Sequence, residues 1–263
     1  MNDLDSVFLK KSRGEKICML TAYDYPLAVL LDQAGVDIIL VGDSLANVVL
    51  GLDSTTQVGM DVMLHHSRAV LKGAKNTPVV ADMPFDAYQP AGADALGNAR
   101  SFIDLGCAAV KVEWFDRCLD VVDALVAARI PVLGHVGLTP QTVEQLGGFK
   151  VQGRSQASAE EIVGQARSLE RTGCLALVLE CVPEGLAQRI TQELKIPTIG
   201  IGAGKYCDGQ VLVLHDMLGL YDRKAPKFVK QYADIGSAVL SAVKSYKQEV
   251  GSGEFPGPQQ TFQ

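Results

Sequence analysis

The stretch "VDIILVGDSLANVVLG", residues 36–51, opens as an apolar run and stops at Gly42. Asp37–Val41 reads as a buried strand. Asp43 and Ser44 follow it, and the apolar pattern resumes at Leu45. A buried carboxylate costs free energy unless it is paired or bound to a metal. A strand that ends in such a group needs a fold that gives the group a task.

The rest of the chain repeats the pattern. Short apolar runs at Ile17–Thr21, Asp37–Val41, Pro78–Ala81, Ala109–Val112, Pro131–Gly134, Leu175–Leu179, Thr198–Ile201 and Val211–Leu214 read as strands. Longer amphipathic runs separate most of them. Residues 91–106 carry apolar residues at helical spacing and stop at Gly106. Residues 157–173 offer Ser158 as a cap with Glu161 three positions on, and residues 183–194 open with a proline at a first-turn position. Residues 60–73, with His65 and His66, are also helical in pattern, and these histidines read as surface or core. Strands alternating with helices imply parallel pairing through right-handed crossovers. About eight such units in 263 residues point to one (β/α)8 TIM barrel over residues 1–263, with a short N-terminal extension and a C-terminal tail. An open doubly wound sheet would place a phosphate loop after its first strand, where "LTAYDYP" is none. "GIGAG" (200–204) lies near the seventh strand and is a weak signal. The tail "GSGEFPGPQQTFQ" reads as loosely ordered or as an oligomer contact.

Composition narrows the class. The chain is 48% hydrophobic with a net charge of -6, and its basic residues are scattered, so nucleic acid is not an expected partner. No apolar stretch is long enough to span a bilayer. The polar start "MNDLDSVFLKKSRGEK" is not a signal peptide, and a cytoplasmic location is expected. The six cysteines form no CxxC pair and read as small buried hydrophobes in a reducing compartment.

In a barrel, chemistry sits at the carboxyl ends of the strands. There the sequence places Asp43, Asp82, Lys111, Glu113, His135 and Glu180, on five consecutive strands. Each has a plainer reading: Asp43 or Asp82 as a helix cap, Lys111 with Glu113 as a salt bridge, His135 as a satisfied histidine, Glu180 as support for the next helix. Taken together they converge on one pocket. Three carboxylates without a Cys/His cluster favour a hard cation such as Mg2+. Glu180, two strands away from that group, is free to act as a base, and a dry pocket would sharpen it for that role.

The runs "TAYDYPLA", "VGDSL", "ADMPF", "VKVE", "GHVGLTPQ", "LVLECVP" and "IPTIGIGAG" resemble, in this order, the ketopantoate hydroxymethyltransferase family, from about residue 16 to residue 257. The resemblance implies a barrel of the phosphoenolpyruvate/pyruvate group. It implies a Mg2+-dependent homodecamer that transfers a hydroxymethyl group from 5,10-methylenetetrahydrofolate to 2-oxoisovalerate. It also implies roles: Asp43, Asp82 and Glu113 as the metal shell, and Ser44 and Lys111 as contacts to the 2-oxo acid. His135 becomes a polar contact in a substrate site shared with Asp43 and Asp82, and Glu180 the proton acceptor. The chain departs from the family pattern at Ala46-Asn47, Leu52 and Trp114-Phe115, and lacks a histidine near its end. A lyase of the same barrel group would carry a "KKCGH"-like loop, and none occurs. A barrel kept only for binding would have lost one of the ionisable strand ends.

Overall fold

The computed structural model describes residues 4–220 and 225–262. The chain divides into two compact units, Met1–Val213 and Leu214–Gln263. All eight strands lie in the first: β1 (Ile17–Thr21), β2 (Ile38–Val41), β3 (Val79–Asp82), β4 (Ala109–Glu113), β5 (Val132–Gly137), β6 (Ala176–Glu180), β7 (Thr198–Ile201) and β8 (Gly209–Leu212). They pair in parallel in chain order, and β8 closes on β1 with Ile17 opposite Gly209. The result is the closed (β/α)8 barrel that the sequence pattern implies. β2 and β3 are buried at every position, as expected of strands covered on both faces.

β8 begins two residues earlier than its apolar pattern suggests. Pairing starts at Gly209, which packs so closely on the Ile17 carbonyl that any side chain would collide with it. The polar residues around Gly209 hide that start from a reading based on apolar runs, and Leu214 opens a helix instead. The helix after β5 spans Gln156–Thr172. Its cap is Ser155 rather than Ser158. The Ser155 hydroxyl accepts from the Ser158 N–H at 3.2 Å, and Ser158 returns a bond to Ser155, so Ser158 is the third residue of a capping box. Pro183 sits one position before the helix Glu184–Glu193, not inside its first turn.

The barrel interior explains where the site lies. Ile17, Met19, Ile38, Leu40, Val80, Ala109, Leu133, Ala176, Val178, Ile199 and Val211 form one buried cluster. Side chains alternate across a strand with a period of two. Ala109 therefore shares its inward face with Lys111 and Glu113, Val80 with Asp82, Leu133 with His135, and Val178 with Glu180. The apolar layers fill the amino-terminal half of the barrel and the ionisable layers take over toward the carboxyl end.

The N-terminal extension forms the floor. Leu4 belongs to the interior cluster, and Val7 and Phe8 pack against it. Lys10 pairs with Asp37 at 2.5 Å, and Lys11 with Asp208 at 2.8 Å.

The second unit contains the helices Leu214–Leu218 and Ile235–Ser252. Within the tail read as loosely ordered or as an oligomer contact, residues 254 and 255 fold back locally. The N–H groups of Glu254 and Phe255 bond to the Glu249 carbonyl, and the Phe255 ring meets Tyr246 edge-on at 5.3 Å.

Candidate active site

Asp43, Ser44, Asp82, Lys111, Glu113, His135 and Glu180 all line one cavity of about 380 Å3 at the carboxyl mouth of the barrel. The register brings them together. Asp82 stands opposite Lys111 and Glu113 opposite His135 in the paired strands. Gly137 stands opposite Glu180, with a φ of 97°. A Cβ at Gly137 would run into the Glu180 carbonyl, so glycine permits this close approach.

Lys111 is the hub. Its Nζ lies 3.2 Å from Asp82 Oδ1, 3.6 Å from Glu113 Oε1 and 3.3 Å from His135 Nδ1. His135 continues the chain, with Nδ1 3.4 Å from Glu113 Oε1 and Nε2 3.2 Å from Glu180 Oε2. Asp82 Oδ2 accepts the Asp43 N–H at 3.1 Å. The two aspartates thus hold tertiary contacts at the cavity. Ser44 precedes the short helix Leu45–Val48 without capping it, and its hydroxyl bonds to the Tyr23 hydroxyl at 2.8 Å. His66 donates its Nδ1–H to the Tyr23 carbonyl at 2.6 Å and does not line the cavity.

Five of the six ionisable groups are buried, and Glu180 is the wetter one, its side chain 15% exposed. It stands at the edge of the cluster rather than in a sealed pocket. Burial, and then the charges of Asp82 and Glu113, push the Asp43 carboxyl well above the usual carboxylate range. Burial also raises Asp82, against the pull of Lys111. Glu113 is held low because Lys111 and His135 together outweigh its burial. Burial and Lys111 disfavour the His135 cation, but Glu113 and Glu180 prevail and raise its pKa to about 9. Lys111 is likewise raised, since three carboxylates overcome its desolvation.

One residue that sequence reasoning passed over organises the cluster. Gln141 is 4% exposed and follows β5 in a short 3-10 turn, Pro140–Thr142. Its Nε2 donates to Asp43 Oδ2 at 2.8 Å and to the Met83 carbonyl at 2.9 Å. Its backbone N–H donates to Glu113 Oε2 at 3.0 Å. Its Oε1 accepts from the Tyr88 hydroxyl at 2.5 Å and from Gln89 Nε2 at 2.9 Å. Tyr88 in turn accepts the Glu113 N–H at 3.1 Å. Burial keeps the Tyr88 hydroxyl neutral by pushing its pKa well up. The only sequence signal for Gln141 was its place six residues after His135 in "GHVGLTPQ".

The donor set suits a hard cation. Four carboxylates face one lysine and one histidine, which leaves an excess of negative charge. Asp82 Oδ1 is buried without a hydrogen bond in good geometry. Among the described residues, however, no three His, Cys, Asp or Glu side chains form a ready-made metal cage. Asp43 and Asp82 adjoin one another, while both Glu113 oxygens already have partners. Two carboxylates completed by water and substrate oxygens is a usual arrangement for Mg2+.

Known proteins fit this picture. The family profile of ketopantoate hydroxymethyltransferase matches residues 3–258. A 3-methyl-2-oxobutanoate hydroxymethyltransferase of Heliobacterium modesticaldum is 55% identical over 253 residues, covering 96% of this chain and 92% of the relative. The protein of the same name from Moorella thermoacetica is also 55% identical, over 96% of this chain and 94% of its own length. Among solved structures, a phosphonopyruvate hydrolase complexed with oxalate and Mg2+ superposes with a TM-score of 0.64 at 13% identity, covering 99% of this chain and 93% of that one. A 2,3-dimethylmalate lyase superposes at 0.60 with 18% identity, over 96% of this chain and 93% of that one. These two likenesses speak for the fold alone. The sequence matches go further: the chain belongs to the ketopantoate hydroxymethyltransferase family.

Proposed function

We propose that this chain transfers a hydroxymethyl group from 5,10-methylenetetrahydrofolate to C3 of 2-oxoisovalerate, giving ketopantoate, with Mg2+ as its metal. The observation that carries this reading is the single cavity onto which Lys111, His135 and four carboxylates converge.

Asp43 and Asp82 would hold the cation, with Glu113 beside them. When bound, the cation acts as a Lewis acid on the 2-oxo oxygen as that atom gains enolate charge. Lys111 supplies a fixed positive charge for the substrate carboxylate, and Ser44, held by Tyr23, orients it by hydrogen bonding. Glu180 takes the C3 proton. His135 Nε2 pairs with one oxygen of Glu180 at 3.2 Å, and its Nδ1 faces Glu113 at 3.4 Å. The resulting carbanion equivalent bonds to the methylene carbon. Both carbon–nitrogen bonds to the folate break, and water provides the new hydroxyl. The proton from C3 and one proton of water end on the two folate nitrogens, which balances the reaction.

We further propose a cytoplasmic homo-oligomer, a homodecamer as the family resemblance implies. All six cysteines are unpaired, which supports a reducing compartment. The helix Ile235–Ser252 has no buried residue, yet Val239, Val243, Tyr246 and Val250 share one face of it and are 48–56% exposed. Such a stripe favours association. The direct test of the reaction is product identification from purified protein, 2-oxoisovalerate and methylenetetrahydrofolate, with and without Mg2+. No ketopantoate with protein, both substrates and Mg2+ present would sink the reading.

A further inference from the structure

The mouth of the cavity has two unlike walls. Asn47, Asp53, Ser54 and Thr55, from the segment after β2, make a polar wall. The segment after β5 makes the other, with Pro140, Val143 and Phe149 as apolar surface and the exposed Glu144 carboxylate among them. Phe149 is 74% exposed although it lines a cavity. An open aromatic ring at a cavity mouth offers a flat apolar face on which a planar ligand can stack.

This segment is fastened at both ends beside ionisable residues of the cavity. At its start the Gln141 N–H bonds to Glu113. At its end the Gln152 N–H bonds to the carbonyl of Cys181, next to Glu180, at 2.8 Å. Between them the chain reverses through Gly147 and Gly148, with φ of 73° and 99°, and the Gly148 N–H bonds to the Val143 carbonyl at 2.9 Å. Phe149 follows directly. The ring thus stands on the wall of the cavity that Glu180 also lines.

We infer that Phe149 and Glu144 form the seat for the pteridine of the one-carbon donor, an inference that rests on the proposed hydroxymethyl transfer. A reduced pteridine presents a flat ring face and an amino-pyrimidinone edge with two adjacent N–H donors. Phe149, on the same wall as Val143 and Pro140, stacks on the face. Glu144 accepts from the paired donors, the fork geometry a carboxylate favours. The 2-oxo acid lies deeper, against Lys111 and Ser44, so the donor's methylene carbon enters from above it.

Two measurements test this on the full chain with Mg2+: tetrahydrofolate binding by calorimetry, and folate-free exchange of the C3 proton of 2-oxoisovalerate with D2O by NMR. Loss of a stacked aromatic weakens binding about ten- to hundredfold. Phe149→Ala is expected to lose tetrahydrofolate affinity to that extent while exchanging at the wild-type rate, and Phe149→Tyr to restore binding. Glu144→Gln is expected to weaken binding about tenfold. Unchanged tetrahydrofolate affinity in Phe149→Ala overturns the inference. So does a parallel fall of binding and exchange, which means general damage to the site. Absence of exchange in the wild type would instead strike the proposed reaction, while wild-type failure to bind tetrahydrofolate strikes the pteridine seat.

Discussion

Gln141 Nε2 lies 2.8 Å from Asp43 Oδ2, and the backbone N–H of the same residue lies 3.0 Å from Glu113 Oε2. One neutral loop residue thus holds two carboxylates, Asp43 just after β2 through its side chain and Glu113 at the end of β4 through its backbone. Groups that orient metal-binding carboxylates typically change metal affinity 10–100-fold when removed. Gln141→Ala is expected to weaken Mn2+ binding, read by EPR in the absence of substrate, by about that factor. Wild-type affinity in a folded variant would limit Gln141 to a packing role.

Asp43 is buried beside two other carboxylates, and their charges oppose its ionisation. Asp43→Asn removes that repulsion and keeps the shape. In EDTA the variant should melt above the wild type, by about 2–4 °C for each kcal/mol relieved. Added Mg2+ should stabilise the wild type and leave the variant unmoved. A Mg2+-induced rise of equal size in both proteins would take Asp43 out of the metal shell.

Glu180→Gln keeps the shape of the base and removes its ability to accept a proton. General-base removal typically costs about 10²–10⁴ in rate. Folate-free deuterium exchange at C3 and full turnover should fall together by that order, while 2-oxoisovalerate still binds. Exchange at the normal rate with a lowered melting temperature would return Glu180 to the role of supporting the helix Glu184–Glu193.

The stripe of Val239, Val243, Tyr246 and Val250 bears on assembly. Val243→Glu places a charge in the middle of it. Light scattering should find a large particle for the wild type and a smaller one for the variant. A wild-type monomer over a wide concentration range would rule out the homo-oligomer.

Asp32 offers a test remote from the cavity. Its carboxylate accepts from the N–H groups of Asn76 and Thr77 at 2.9 and 2.8 Å and so ties the helix Tyr25–Ala34 to the approach of β3. Burial works against the charge, but these donors prevail and hold its carboxyl below the usual range. A depressed value gives stability that is present above the unfolded pKa, about 3.9, and is lost as pH falls through the folded one. Asp32→Asn should therefore lower stability at pH 7 and change nothing in acid below both values. Urea melts across pH would show the two curves converging; parallel curves would contradict the assignment.

The ionisable layer was legible in the sequence because barrel strands alternate. In "AVKVE" the charges at Lys111 and Glu113 skip a residue, and the period places them on the face of Ala109. His135 and Glu180 follow the same rule from Leu133 and Val178. Gln141 was not legible, because it is neutral and sits in a turn with no period to place it. Ser155 was overlooked for Ser158 because both are serines near the same helix start, and only backbone geometry separates a cap from its reciprocal partner. β8 was misplaced because a close-packed glycine contributes pairing without contributing hydrophobicity.

The floor made by Leu4, Val7 and Phe8 turns the barrel into a cul-de-sac. Under the proposed reaction both substrates pass through one doorway, and the smaller one must travel farther. A donor seated at the rim would obstruct the 2-oxo acid behind it. Under that reaction the expected kinetics are those of a queue, with the oxo acid entering first and its product departing last.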